Sequence, residues 1–130
     1  MKLLLLIPLF AWGTSAGDIC SALKDDPTLK QDSKGVTIER KIEGRQADIS
    51  YLFGWSDKLE SIHARLDGDW IVFSSIKAKL TKELGKLHKE GRFSQEDYAT
   101  WKAEDSGYSL TMKKQRIRIM IKQLPKPRRG

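Results

Sequence analysis

Four glycines punctuate the middle of the chain, and they decide between two very different folds. Gly35, Gly44, Gly54 and Gly68 bracket three stretches between residues 36 and 75. In the first, Val36, Ile38 and Ile42 alternate with Thr37, Glu39, Lys41 and Glu43. In the second, Ile49, Tyr51, Phe53 and Trp55 share one parity, and in the third Ile62, Ala64 and Leu66 alternate with Ser61, His63 and Arg65. A period of two is the pattern of a half-buried strand, and β-branched and aromatic types suit it. Asp67-Gly68 is a two-residue hairpin signal, after which Trp70-Ile71-Val72-Phe73 reads as a further strand. The alternative is helical, because Ile38, Ile42, Ile49, Leu52, Leu59 and Leu66 also fall at three-and-four spacing. That reading puts Arg45, Ser56 and His63 on the apolar seam. It also puts Gly44 and Gly54 in helix interiors, at roughly 1 kcal/mol each relative to alanine. A meander of strands over 36–75 is therefore preferred to an all-α bundle.

From Ser75 the period changes. Ile76, Leu80, Leu84 and Leu87 make one helical stripe, with lysines largely outside it. Gly91 ends that helix, and Ser94 caps a second one, with Asp97 in a capping-box position and Phe93 and Tyr98 placed as a hydrophobic staple. Trp101 shares the face. A helical hairpin over residues 75–104 is expected. The run from Leu84 through Gly91, Phe93, Ser94 and Asp97 to Lys102 resembles the short C-terminal helical hairpin domains found in many bacterial proteins. It departs from them at Ala103-Glu104-Asp105, where that family continues with leucines, and no function is carried across. Tyr108–Met112 and Arg116–Lys122 follow as strands, with a change of apolar parity near 113–115. The expected class is α+β: an antiparallel sheet, made of the meander and the C-terminal strand, packed with the helical hairpin.

The two ends of the chain carry the compartment and the charge. Met1-Lys2 precedes ten uncharged residues, Leu3–Trp12, and then Gly13-Thr14-Ser15-Ala16-Gly17. Charge, a short apolar core and small residues form a secretory signal peptide, with cleavage expected after Ala16. The apolar run is about half the ~20 residues of a spanning helix, so no transmembrane helix is expected after cleavage. Asp18-Ile19 before Cys20 does not suit a lipoprotein signal. The expected organisation is a signal peptide at 1–16, a single small domain at 17–124 and a basic, disordered tail at 125–130. Cys20 is the sole cysteine, so no internal disulfide can form, and a bacterial periplasmic or secreted protein is expected. Asp18 is the expected cap of a short first helix, with Cys20 on it as a small buried hydrophobe.

The formal charge is +7. Most of it is C-terminal: Lys113, Lys114, Arg116, Arg118, Lys122, Lys126, Arg128 and Arg129 have no acid among them, while the rest of the mature body is near neutral. Ile117, Ile119 and Ile121 alternate with Arg116, Arg118 and Lys122, as in a half-buried strand with a cationic outer face. Arg116, Arg118, Lys122, Lys126, Arg128 and Arg129 are the candidate partner-binding residues. An envelope protein or an anionic lipid or lipopolysaccharide surface is the expected partner. The bland reading is that these cations keep an edge strand soluble and unpaired. Nucleic acid is not expected, given export and the lack of interleaved aromatics after Tyr108.

No catalytic, metal or cofactor pattern is present. His63 and His88 are the only histidines, and a zinc site wants three or four close ligands. His88 is expected on the lysine-rich helix. The carboxylate pairs Asp25-Asp26, Asp67/Asp69, Glu96-Asp97 and Glu104-Asp105 are assigned to turns and helix termini. Trp55, Trp70 and Trp101 are expected mostly in the core, the first two partly exposed at strand ends. The expectation is a small exported non-enzymatic binding protein of the inhibitor, immunity or accessory type. The alternatives are a protein that docks its basic end on anionic lipid and, third, an enzyme.

Overall fold

The computed structural model describes residues 3–33 and 35–125. Eight antiparallel strands form a single sheet. In chain order they are β1 Lys30–Asp32, β2 Gly35–Ile42, β3 Arg45–Phe53, β4 Leu59–Asp67, β5 Lys89–Phe93, β6 Glu96–Ala103, β7 Ser106–Lys113 and β8 Arg116–Gln123. The spatial order is β1-β2-β3-β4-β8-β7-β6-β5. Each half of the sheet is thus a four-stranded meander, and the two are joined at the centre by β4 and β8. Helix α1, Ala16–Ala22, precedes the first meander, and helix α2, Trp70–Leu84, connects the two. The fold is mixed α and β, dominated by the antiparallel sheet.

One face of the sheet is covered and the other is open. Val36, Ile38, Ile49, Tyr51, Ile62, Ala64, Ala99, Trp101, Leu110, Ile117, Ile119 and Ile121 point to the covered face and are buried. Ile19 of α1 and Phe73, Ile76 and Leu80 of α2 close over them. The period of two in the strands meets the three-and-four spacing in α2, so each element buries one side. Asp69 caps α2, its carboxylate accepting from Ile71 N–H at 3.0 Å and Val72 N–H at 3.2 Å. Gly85, at φ 93°, ends the helix by donating its N–H to the Thr81 carbonyl at 2.9 Å. Glu43, in the β2–β3 turn, accepts from Ser75 at 2.8 Å and pairs with Lys79, which ties the helix to the sheet. Gly35 cannot be replaced without movement: a Cβ there would stand 2.2 Å from the Tyr51 carbonyl oxygen.

The expected helical hairpin over 75–104 is not present. Its second half is the β5–β6 hairpin, closed by Ser94-Gln95 with φ of 50° and 64°. Ser94 is therefore a turn residue rather than a cap, and Glu96 and Asp97 lie on β6. Gly91 lies inside β5, where it pairs with Tyr98, instead of ending a helix. His88 precedes β5 and donates its N–H to the Thr100 carbonyl at 2.8 Å. The first half begins earlier than expected. Trp70–Phe73, read as a strand, is the first turn of α2, because Asp69 offers a cap and Phe73 continues the Ile76–Leu80 stripe. Asp67-Gly68 accordingly leads from β4 into a helix and closes no hairpin. Helix α1 is capped by Ser15, whose hydroxyl accepts from Asp18 N–H at 3.1 Å, and not by Asp18. Cys20 on α1 is half-buried, with Sγ 3.4 Å from Gln31 Oε1.

The N-terminal apolar segment lies on the covered face. Leu3–Leu6 form one 3-10 turn, Leu3 and Ile7 are buried, and the chain then runs past Tyr51 to reach β4. No helix among the described residues is long and apolar enough to cross a membrane.

Candidate functional site: the basic centre of the open face

Strand β8 is the chemical axis of the open face. Its isoleucines point to the covered side, so Arg116, Arg118, Met120 and Lys122 stand on the open side. The expectation of a basic edge strand is corrected here: β8 is central, hydrogen-bonded to β4 on one side and β7 on the other. Its cations therefore guard no free edge, and protection of an unpaired strand does not explain them. Lys126, Arg128 and Arg129, the remaining candidates, lie outside the described residues.

The register assembles neighbours that sequence reasoning did not place together. Arg118 faces Arg65 of β4 on one side and Thr111 of β7 on the other. Arg116 lies between Asp67 and Lys113, Met120 between His63 and Ser109, and Lys122 between Ser61 and Gly107. An open groove of ≈ 760 Å³ runs over the first two of these rows. Its charged lining comprises the cations Arg65, Lys113, Lys114, Arg116 and Arg118 and the carboxylates Asp48, Asp67 and Glu96. Among the described residues, none of the five cations is in an ion pair; the pairs present are Arg40–Asp26, Lys77–Glu90 and Lys79–Glu43. Arg65 was legible only as the polar partner in an alternating run, and only the β4–β8 register reveals that it belongs with Arg118.

His63 sits in the row beside the groove, half-buried, its Nδ1 lacking a partner among the described residues. Burial and then the nearby Arg118, Arg65 and Lys122 hold its pKa below the ordinary 6.5. The imidazole is thus neutral at neutral pH and can accept or donate a hydrogen bond. Five cations against three carboxylates leave the groove lining net positive.

The other sequence candidates are dispersed. Among the described residues, no group of three or more His, Cys, Asp or Glu side chains could hold a metal ion. Asp26 is engaged with Arg40 at 2.5 Å and with Thr28, Asp69 is the α2 cap, and Glu104-Asp105 forms the β6–β7 turn. Trp101 is buried on β6, its indole donating to Thr81 Oγ1 at 3.3 Å, whereas Trp55 is fully exposed and Trp70 about half so.

No family model matches the chain, and no curated protein matches it. Among solved structures, it is similar to the crystal structure of a DUF4309 family protein (YjgB) from Bacillus subtilis subsp. subtilis str. 168. The identity is 12%, the coverage 85% of this chain and 78% of that one, and the TM-score 0.49. No residue role is carried across from it.

Proposed function

We propose that the chain is exported, cleaved after Ala16, and acts in the periplasm or outside the cell as a small non-enzymatic binding protein. Its partner is an acidic segment of an envelope protein, held in the basic groove of the open sheet face. The observation that carries this reading is the direct cross-strand placement of Arg65 and Arg118, two exposed cations without ion pairs among the described residues. Like charges directly opposite one another destabilise a sheet; Asp48, opposite Arg65 on β3, offsets that cation, whereas Arg118 lies between Arg65 and Thr111 and is left for an anionic partner. The groove's own carboxylates favour a protein over a lipid surface. Asp48, Asp67 and Glu96 would repel a uniformly anionic layer, but they can take hydrogen bonds from a polypeptide.

The test is photo-crosslinking from Thr111 in the native envelope, comparing the parent chain with the Arg65→Glu, Arg118→Glu double variant, with circular dichroism as the folding control. A crosslinked protein species that disappears in the folded double variant and weakens with salt supports the reading. Crosslinks unchanged by charge reversal sink it. Binding to anionic vesicles, with no protein crosslink, assigns the surface to lipid instead.

A further inference from the structure

The N-terminal segment touches the domain through its main chain as much as through its side chains. The N–H groups of Leu3 and Leu4 donate to the Glu83 carboxylate at 3.0 and 2.8 Å. Five residues after Leu3, the Pro8 carbonyl accepts from the Tyr51 hydroxyl at 2.6 Å. Gly13 and Thr14 then exchange backbone hydrogen bonds with Leu59 at 3.2 and 2.9 Å. Between these anchors, Leu3 and Ile7 are 3% and 1% exposed, and Phe10 meets the Tyr51 ring edge-on at 5.6 Å. Trp12 donates its indole N–H to Ser106 Oγ at 3.0 Å.

If residues 1–16 leave on export, as in the function proposed above, this surface is vacated. It then presents apolar seats bounded by a carboxylate acceptor, a phenol donor and the free main chain of Leu59. We propose that the vacated surface is a second binding site, a groove for an apolar peptide segment of another exported protein. The spacing of the polar groups discriminates between occupants. An acyl chain would fill the seats of Leu3, Ile7 and Phe10, but it has no N–H for Glu83 and no partner for both polar atoms of Leu59. The half-buried Glu83 carboxylate and the Tyr51 hydroxyl, covered by such a chain and left unmatched, would oppose it. A polypeptide satisfies all three anchors, as the leader itself does. The site lies on the opposite face from the basic groove, so the two can be filled independently.

The experiment starts from protein recovered after export, with its N-terminus read by mass spectrometry and its fold by circular dichroism. A fluorescent synthetic peptide with the sequence of residues 3–14 serves as the probe. Saturable binding at micromolar concentrations is expected. It should be weakened about tenfold by Glu83→Gln and about fivefold by Tyr51→Phe, the scale of lost hydrogen bonds to charged and neutral groups. Binding should be unaffected by Arg118→Glu, which separates this site from the basic groove. A probe carrying aspartate in place of Ile7 should not bind. Retention of residues 1–16 in the exported protein, an unfolded processed chain, or a folded processed chain that ignores the probe would each overturn the proposal. Displacement of the probe by lauric acid at equal concentration would overturn the assignment to peptide.

Discussion

Arg65 and Arg118 stand directly opposite each other on β4 and β8, at the seam where the two meanders meet. A cross-strand pair of like charge costs a few tenths of a kcal/mol to about 1 kcal/mol relative to a neutral pair. Arg118→Thr should therefore raise stability by about 0.5 kcal/mol in urea denaturation, while crosslinking to the partner falls. A variant that loses both stability and binding would mean that Arg118 is structural, and the functional case for the pair would be gone.

His63 makes the same surface sensitive to pH. Its pKa lies below the unfolded value of 6.5, so protonation is disfavoured in the folded, unliganded protein. The resulting contribution to stability is full above pH 6.5 and declines as pH falls below it. Bound carboxylates would oppose Arg65, Arg118 and Lys122 and raise the His63 pKa. Affinity for an acidic peptide should then increase as pH drops below 6.5, by linkage. An NMR titration of the imidazole with and without an oligoglutamate peptide reads both parts. An unmoved pKa would place His63 outside the site.

The β5–β6 hairpin carries its own local conflict. Ser94 and Gln95 both hold positive φ, the geometry that Asn-Gly adopts most readily. Ser94→Asn combined with Gln95→Gly should stabilise the protein by about 1 kcal/mol, measured as an upward shift in thermal midpoint. The opposite sign would show that these residues form another kind of connection.

Asp26 anchors the loop before β1. Hydrogen bonds from Thr28, then from Arg40, hold its carboxyl down to about 2 from the usual 3.8. Its stabilising contribution is present above pH 3.8 and is lost as pH falls toward 2. Asp26→Ala should cost about 1 kcal/mol near neutrality and flatten the stability profile across that acid window. A variant whose profile still falls as steeply would assign the acid sensitivity elsewhere.

How legible the fold was depended on whether local and distant signals agreed. In β2, β3, β4 and β8 one face meets the core and the other meets solvent, so the period of two survives in the residues themselves. In β5 every residue is exposed, so no apolar period exists to read, and Gly91 and Ser94 mimic a helix end and a cap. Trp70–Phe73 failed for the converse reason. Four large apolar residues fit a buried strand or a helix equally well, and only the Asp69 cap and the partnership with α2 decide. Arg116, Arg118 and Lys122 were legible as one cationic face of β8. Their position at the centre of the sheet, with Arg65 and His63 beside them, depends on strand order, which no local pattern encodes.

The pairing of β4 with β8 has a consequence for the timing of folding. Ser61 finds its partner in Lys122, and Asp67 in Arg116, so the first meander waits for nearly the last residues of the chain before its final edge is covered. Such non-local contacts make folding slow relative to helical proteins of similar size. A nascent chain therefore keeps the β4 edge unpaired until residues 116–123 have been made, and the two meanders become one sheet only at that step.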